Sequence, residues 1–490
     1  MTEQPERAHY QATFAVLATA VGAYALLQSL VIPVLPTIER GLHTTQNTAT
    51  WVLTAYLLSA SIFTPIIGRL GDMWGKQRLF VVALAALAAG TLLSALAGSI
   101  GVMLAGRVIQ GVGGGVVPLA FGIIRDEFPA ERVPGAVGVI AALAAAGGGL
   151  GIVLAGPIVE TFDYHWLFWI PMVMLVLAGI AARIVIPESP VRQPGKLAWG
   201  SAVLLSAWLV ALLLPVSEAP TWGWGSGRVI ALLVIAMLLA AAWVLAETRS
   251  TRPLIDMRMM RIPVVWTANL VALMFGVGMY ATFAFLPEFL QTAPSAGYGF
   301  GASITHSGLI LLPSSAMMFV FGAASGRLTL RYGGKAVLIT GATISVLPFI
   351  LLVVAHDHQW QIVLATTLMG IGFGLAFSAM SSLIVEGVPP GQTGVASGMN
   401  ANIRTIGGSI GAAVMSSIVT STARAGGLPR ESGYTHGFEL LTATAAAAAL
   451  ATTLVPKRHR ALSQPELRDA LPHAELGMIA AGTLVGDEPE

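Results

Sequence analysis

Fourteen apolar runs, most of them 20 residues or longer, divide this chain almost from end to end. A helix needs about 20 consecutive apolar residues to cross the hydrocarbon core of a bilayer. Of the 490 residues, 55% are hydrophobic and only 10% are charged, whereas a soluble globular protein carries about 25% charged residues. The sequence therefore predicts an all-α membrane protein with 14 transmembrane helices. It excludes an ordinary soluble enzyme, a disordered scaffold and a nucleic-acid-binding protein.

The predicted helices are separated by short segments that hold Gly, Pro or charged residues. They cover residues 12–37, 48–67, 78–97, 100–124, 135–159, 166–187, 197–216, 227–246, 262–290, 302–326, 335–355, 359–385, 393–420 and 435–455.

The positions of Lys and Arg predict the orientation of these helices, because cytoplasmic loops carry an excess of both residues. With a cytoplasmic N-terminus, 20 of the 26 Lys and Arg residues fall on the cytoplasmic side and four fall outside. The remaining two, Arg107 and Arg404, lie within helices. We expect no removable signal peptide. The pattern predicts a multi-pass protein of the inner (plasma) membrane with both termini in the cytoplasm.

An internal repeat relates the two ends of the chain. The segment 68–75 is similar to 326–333, at an offset of 258 residues, and Gly147-Gly148 recurs as Gly407-Gly408 at an offset of 260. A constant offset over several elements indicates duplication, so helices 1–6 correspond to helices 9–14. The predicted domains are an N-terminal six-helix bundle at 1–190, two inserted helices at 191–258, a C-terminal six-helix bundle at 259–456 and a cytoplasmic tail at 457–490.

The segment between helices 2 and 3 carries the most specific pattern. Residues 68–78 read Gly-Arg-Leu-Gly-Asp-Met-Trp-Gly-Lys-Gln-Arg, which resembles the signature loop of the major facilitator superfamily. Helix 4 contains Arg107 within 104–113, which is similar to the membrane-embedded Arg motif of that superfamily. Residues 147–151 with Gly156-Pro157 resemble the antiporter motif of its exporter branches. With the helix count and the segment 393–404, the chain resembles the fourteen-helix drug:proton antiporter group.

This resemblance implies a secondary active transporter that exports small hydrophobic compounds, such as drugs or antibiotics, in exchange for protons by alternating access. The implied partners are a small hydrophobic substrate, protons and the lipid bilayer. No cofactor is expected, since the proton gradient would supply the energy and no P-loop for ATP is present. We expect neither nucleic-acid binding nor a permanent oligomer, so the protein is predicted to be a monomer.

Two alternatives stay open at this point. One is a lipid or metabolite exporter, or an uptake symporter, of the same fold. The other, from a different class, is a non-transporting membrane enzyme or receptor. An enzyme would need paired catalytic groups at one depth, and the sequence offers neither a carboxylate pair within the helices nor a His-Glu-x-x-His motif. The chain also has no cysteine, which excludes thiol catalysis and Cys-ligated zinc. No catalytic residue and no metal site is predicted.

Four charged residues are the candidates for proton coupling and conformational switching, because a charge within a membrane helix usually faces a cavity or a partner. They are Asp72, Arg107, Glu288 and Arg404. Gln28 occupies the position in helix 1 where related antiporters often have Asp, so Glu288 is the predicted proton carrier. From the resemblance we expect the signature loop to latch the two bundles together, with Asp72 near the start of helix 3 and Lys76 at the cytoplasmic surface. The signature-loop residues are Gly68, Gly71, Asp72, Gly75, Lys76 and Arg78.

A drug-sized ligand favours a cavity that combines aromatic and polar side chains. The predicted cavity residues are Tyr24, Gln28, Tyr56, Gln110, Tyr280, Phe283 and Asn400. Small residues on helix 5 should let neighbouring helices approach closely. These helix-packing residues are Gly147, Gly151, Gly156 and Pro157, the last of which predicts a kink.

Overall fold

Helical structure occupies most of each of the fourteen apolar runs in the computed structural model, which describes residues 10–189, 198–250, 253–422 and 429–456. The first run is shorter than predicted, because its helix ends at Ser29 and a separate short helix covers Leu35–Gly41. The described part of the chain contains no β-strand. The predicted tail at 457–490 lies outside it. We number the long helices α1 (Tyr10–Ser29), α2 (Gln46–Trp74), α3 (Lys76–Ala95), α4 (Ile100–Gly111 and Val116–Glu127), α5 (Val133–Thr161), α6 (Trp166–Val185), α7 (Trp199–Trp222), α8 (Gly227–Arg249), α9 (Pro263–Gln291), α10 (Ile304–Tyr332), α11 (Gly334–Ile344 and Leu347–Val354), α12 (Gln359–Gly387), α13 (Thr393–Ser421) and α14 (Glu431–Thr453).

The predicted fold class is confirmed. By length and composition, 13 stretches among the described residues can cross a membrane, and these comprise α1 to α13. The helix α14 is not among them, because charged and polar side chains occupy its first turns and Ala and Thr dominate the rest. It is nevertheless 23 residues long and packs against α9, α11 and α13.

Three helices extend six or seven residues further than the sequence predicts, and one of them, α10, ends at Tyr332 rather than at residue 326. The helix α2 continues to Trp74 and ends at Gly75, whose φ of 114° is a conformation that favours glycine. The first part of the signature loop is therefore helical, and Asp72 lies in the last turn of α2 rather than near the start of helix 3. The helix α7 continues to Trp222, beyond the predicted end at residue 216.

The internal repeat is visible in the helix boundaries. Both α2 and α10 contain 29 residues, start 258 residues apart and are followed by a glycine with positive φ, Gly75 or Gly333. Both α5 and α13 also contain 29 residues, and they start 260 residues apart. These equal lengths and offsets support a duplication that relates α1–α6, here called the first half, to α9–α14, the second half.

The predicted packing glycines of α5 lie at close contacts. A Cβ atom at Gly147 would lie 2.5 Å from the Ala25 Cβ of α1, and one at Gly151 would lie 2.0 Å from the Ser29 Oγ. Gly156 instead faces α10, where a Cβ would lie 2.4 Å from the Thr305 Oγ1. The helix α5 therefore joins its own half to the second half. It continues as a helix through Pro157, whose side chain is exposed.

Candidate functional site

A cavity of about 710 Å³ lies between the two halves, within the usual range of about 300–1,000 Å³ for small-molecule sites. The first half contributes side chains from α1, α2, α4 and α5, and the second half contributes side chains from α9, α12 and α13. The inserted helix α7 also lines it through Ser217, Pro220 and Thr221. The cavity is therefore assembled from all three parts of the chain.

Six of the seven predicted cavity residues line this space: Tyr24, Gln28, Tyr56, Tyr280, Phe283 and Asn400. The Gln28 amide donates a hydrogen bond to the Tyr280 hydroxyl at 3.3 Å, which joins α1 to α9. The Asn400 amide donates to the Asn269 carbonyl oxygen at 2.9 Å, which joins α13 to α9. The first contact connects the two halves at the cavity, and the second holds α13 against α9 within the second half.

Gln110, the seventh predicted cavity residue, does not line the cavity, and that prediction is wrong. Its side chain is fully buried and its amide nitrogen lies 3.3 Å from both the Thr91 and the Ser94 hydroxyl oxygens of α3. Its carbonyl oxygen accepts a hydrogen bond from Arg107 at 2.7 Å. Gln110 faces α3 because this pair of hydroxyls satisfies its amide there.

Arg107 is fully buried next to the cavity wall. Its Nε donates to the Val52 carbonyl oxygen at 2.9 Å, and its guanidinium lies 4.6 Å from the ring centroid of Tyr56. Its second terminal nitrogen has no hydrogen-bond partner among the described residues. Tyr56 lies between Arg107 and the cavity, so Arg107 itself does not line the cavity.

Arg404 lies directly on the cavity wall, in the middle of α13. Its guanidinium carbon is 5.2 Å from the ring centroid of Phe377, a cation–π distance. The sequence predicts both Arg107 and Arg404 as functional charges, and the structure places one behind the wall and the other on it.

The two halves meet closely where α2 ends and α13 begins. The Asp72 carboxylate is fully buried and accepts hydrogen bonds from the backbone N–H groups of Gly394 at 3.3 Å and Val395 at 3.1 Å. The first N–H groups of a helix have no partner within the helix and favour a negative charge. A Cβ on Gly68 would lie 2.6 Å from the Gly394 carbonyl oxygen. We call the Asp72 contact with Gly394 and Val395 the cap contact.

The basic residues after α2 are held differently from one another. Lys76 is completely buried and forms an ion pair of 2.6 Å with Asp126 of α4, so its predicted place at the surface is wrong. Arg78 is exposed and pairs with Glu188 at 3.3 Å. The backbone N–H of Gln77 donates to the same Glu188 carboxylate at 3.3 Å. These contacts tie the end of α2 and the start of α3 to the rest of the first half.

Glu288 lies near the end of α9, where its side chain is exposed and does not line the cavity. A buried acid that the sequence reasoning missed is Glu218 of α7, whose Oε2 accepts a hydrogen bond from Thr221 at 3.0 Å. Thr221 itself lines the cavity. The predicted helix ended at residue 216 and left Glu218 outside the membrane. The helix α7 instead continues to Trp222, with Pro215 and Pro220 inside it.

Residues 17–412 match the model of the family described as the Major Facilitator Superfamily. The chain belongs to the major facilitator superfamily. Members of this family are transporters, so the chain is a multi-pass transporter of a membrane. This result confirms the resemblance drawn from the signature loop, the Arg107 motif and the glycines of helix 5.

Several relatives are named as resistance proteins or multidrug transporters. The tetracenomycin C resistance and export protein of Streptomyces glaucescens is 27% identical over 411 residues, which span 83% of this chain and 75% of that protein. A multidrug resistance protein B homolog of Mycobacterium tuberculosis is 28% identical over 80% of this chain and 75% of its own length. The multidrug transporter protein MdtP of Bacillus subtilis is 26% identical over 77% and 69%, respectively.

Among solved structures, the human organic anion transporter MFSD10 (TETRAN) has a similar fold. The TM-score is 0.65 at 16% sequence identity, and the match covers 92% of this chain and 100% of that one. At this identity the likeness establishes the fold alone. The superfamily fold and the resistance proteins among its relatives are therefore the two results that the comparisons supply.

Proposed function

We propose that this protein is a proton-coupled exporter of small hydrophobic compounds, including antibiotics or other drugs, that works by alternating access. The observation that carries the proposal is the cavity of about 710 Å³ that both halves line, together with the cap contact between them. Resistance proteins among the relatives support export as the direction of transport. No enzymatic activity is part of the proposal.

The cap contact supports the alternating-access part of this proposal. It lies at the end of the helices that the basic residues predict to be cytoplasmic, and there Gly68 and Gly394 bring the backbones of α2 and α13 together. Arg125 also donates a hydrogen bond across the halves to the Thr393 hydroxyl at 2.7 Å. A substrate entering from the cytoplasm would need these contacts to break, and an outward-directed release would need them to re-form.

The proton gradient would supply the energy, without a bound cofactor or ATP, and the transporter would act as a monomer in the plasma membrane with both termini cytoplasmic. Two acids are candidates for carrying the proton. Glu288 is the acid that the sequence favours, while Glu218 is buried next to a residue that lines the cavity. Because the Thr221 hydroxyl donates a hydrogen bond to Glu218, protonation of Glu218 would change a contact of a residue that lines the cavity.

The test uses inverted membrane vesicles that hold the full chain, a pH-sensitive dye in the lumen and a fluorescent hydrophobic substrate outside. We expect an acidic lumen to drive substrate uptake, and added substrate to release protons from the vesicles. Glu218→Gln and Glu288→Gln, compared at equal protein levels, separate the two candidate carriers. Proton release should disappear in the variant that lacks the carrier.

Three results would change the proposal. Substrate uptake that does not depend on the pH gradient would contradict proton coupling and would indicate a facilitator. Proton release that survives both substitutions would exclude both acids as carriers. Vesicles that take up none of a chemically varied substrate panel, although the protein is present and folded, would contradict drug export itself.

A further inference from the structure

We propose that the cavity selects amphipathic anions, and that Arg404 is the residue that binds their negative group. The substrate class would be a small molecule with an aromatic or other apolar body and a carboxylate, phenolate or sulfonate. This inference rests on the proposed export function, because it names the class of compound that the exporter would carry.

The charge of the cavity wall is the first argument. Among the described residues that line the cavity, Arg404 is the one with a formal charge, and no Asp or Glu is present. A site that prefers cationic drugs would be expected to place a carboxylate against the ligand. Here the helix-1 position that could carry such an acid holds Gln28, whose amide contacts Tyr280 instead.

The second argument is the missing partner of Arg404. Within the part of the chain that the structure describes, its side chain forms no ion pair and no hydrogen bond, and its guanidinium lies over the face of Phe377. A charge inside a membrane protein is costly unless it is paired. An arginine presents a planar set of donors that matches a carboxylate with two parallel hydrogen bonds. An anionic ligand would therefore supply the partner that the protein does not.

A second cation strengthens the same field. Arg107 lies behind Tyr56 at 4.6 Å from its ring centroid, and one of its terminal nitrogens has no partner among the described residues. Charges interact more strongly in an environment of low dielectric constant than in water. Glu218 is the acid that touches a lining residue, but it contacts Thr221 from behind and does not itself line the cavity.

The uncharged residues that line the cavity suit both the negative group and the apolar body of an amphipathic anion. Tyr24, Tyr280 and Asn400 offer hydroxyl and amide donors to an oxyanion, while Phe283 and Phe377 offer apolar surface to a ring. Donors that surround a negative group make charge-assisted hydrogen bonds, which are stronger than neutral ones. The wall thus offers hydrogen-bond donors to the negative group of the ligand and apolar surface to the rest of it.

The experiment compares two dyes that share a xanthene frame and differ in charge, anionic fluorescein and cationic rhodamine 123. Binding to the purified full chain in detergent is measured by fluorescence anisotropy, and uptake is measured in inverted vesicles. The variants are Arg404→Gln, Arg404→Lys and, as a control that removes an exposed positive charge at the end of α6, Arg183→Gln. Elution as a single species and unchanged helix content confirm that each variant is folded.

We expect the unaltered protein to bind fluorescein more tightly than rhodamine 123. Arg404→Gln should weaken fluorescein binding by about 10- to 100-fold, the range of a hydrogen bond to a charged group, and leave rhodamine 123 binding unchanged or tighter. Arg404→Lys should keep the preference for the anion, with weaker binding, and Arg183→Gln should behave like the unaltered protein.

The anion proposal would be overturned if both dyes bind equally well and Arg404→Gln does not change their binding. Export of both dyes in vesicles would in that case still support the proposed exporter. A preference for rhodamine 123 would overturn the anion proposal as well. Conversely, Arg404-dependent binding of fluorescein without uptake of either dye would support the anion site and contradict the proposed export function.

Discussion

The two copies of the signature segment, at the ends of α2 and α10, share their backbone contacts but not their chemistry. In the first half, Gly68 lies against Gly394 and Asp72 caps the start of α13. In the second half, a Cβ on Gly326 would lie 2.4 Å from the Gly135 Cα, so α10 approaches the start of α5 equally closely. The close approach of the helices was therefore kept in both copies.

The cap was kept in one copy only. Leu330 stands where the offset of 258 residues places the counterpart of Asp72, and its side chain is 60% exposed. At the start of α5, Pro134 stands at the counterpart of Gly394 and has no N–H to donate. Both the acceptor and one donor are absent. At the two signature segments, the halves thus meet through a charged cap at Asp72 and through a close backbone approach at Gly326 that lacks this cap.

The largest effect is expected for the lysine that follows each copy of the signature segment, Lys76 in the first half and Lys335 in the second. Lys76→Met should lower the free energy of unfolding by about 3–5 kcal/mol, because it leaves the buried Asp126 carboxylate without its cation. The matched change Lys335→Met removes a half-buried lysine that donates to the Thr453 carbonyl oxygen and should cost far less. Thermal unfolding in detergent measures both, and equal losses of stability would contradict the difference between the halves.

The second prediction breaks the cap contact. Asp72→Asn keeps the size of the side chain and removes its charge, so transport should fall by about 10- to 100-fold while the protein still accumulates. Since the chain has no cysteine, spin labels can be attached to Trp74→Cys and Tyr332→Cys, two exposed positions on the two copies. The distance between the labels should increase when the cap is lost. Normal transport by Asp72→Asn at normal protein levels would show that Asp72 only caps a helix and that transport does not depend on its charge.

The third prediction compares α4 with α12. Arg107→Lys keeps the positive charge but cannot contact both Val52 and Gln110 with a planar donor set, so transport should fall by about tenfold. At the matching place in α12, the Thr367 hydroxyl donates a hydrogen bond to the Val363 carbonyl oxygen of its own helix. Thr367→Ala should therefore change transport by less than about twofold. If Arg107→Ala also transports normally, the field of Arg107 has no role in transport.

The smallest effect is expected when the second copy is made more like the first. Leu330→Asp adds the missing acid, but its side chain is exposed and Pro134 offers no N–H, so transport should stay within about twofold of normal. It should also fail to rescue Asp72→Asn in the double variant. Rescue would mean that the two copies can exchange roles, against the asymmetry described above.

Sequence reasoning predicted the helices and their repeat because both leave strong periodic signals. Hydrophobic length identified each of the fourteen helices, and a fixed offset between glycine patterns identified the related ones. Six of seven cavity residues were also found, since aromatic and polar side chains inside apolar runs are conspicuous. The prediction that Gln110 lines the cavity was wrong because the helix that carries it contacts α3 as well as the cavity. The sequence alone does not distinguish these two neighbours.

The partners across the two halves could not be predicted from local sequence. Asp72 and Gly394 are 322 residues apart, so a carboxylate at a helix end gave no sign that it would cap another helix. Lys76 was expected at the surface because a lysine is rarely buried without a partner, and that partner, Asp126, lies 50 residues away. Glu218 was missed because the predicted helix ended with the apolar run at residue 216, whereas α7 continues to Trp222.

The positive charge that Arg404 places in the cavity bears on the electrical energetics of transport. Moving one elementary charge across a membrane potential is worth about 2.3 kcal/mol per 100 mV. A cell that is negative inside drives a monoanion outward, whereas it retains a monocation. If the substrate is the anion proposed above and one proton enters for each molecule that leaves, two charges move downhill, about 4.6 kcal/mol per 100 mV. The membrane potential would then help to expel the compounds that Arg404 binds.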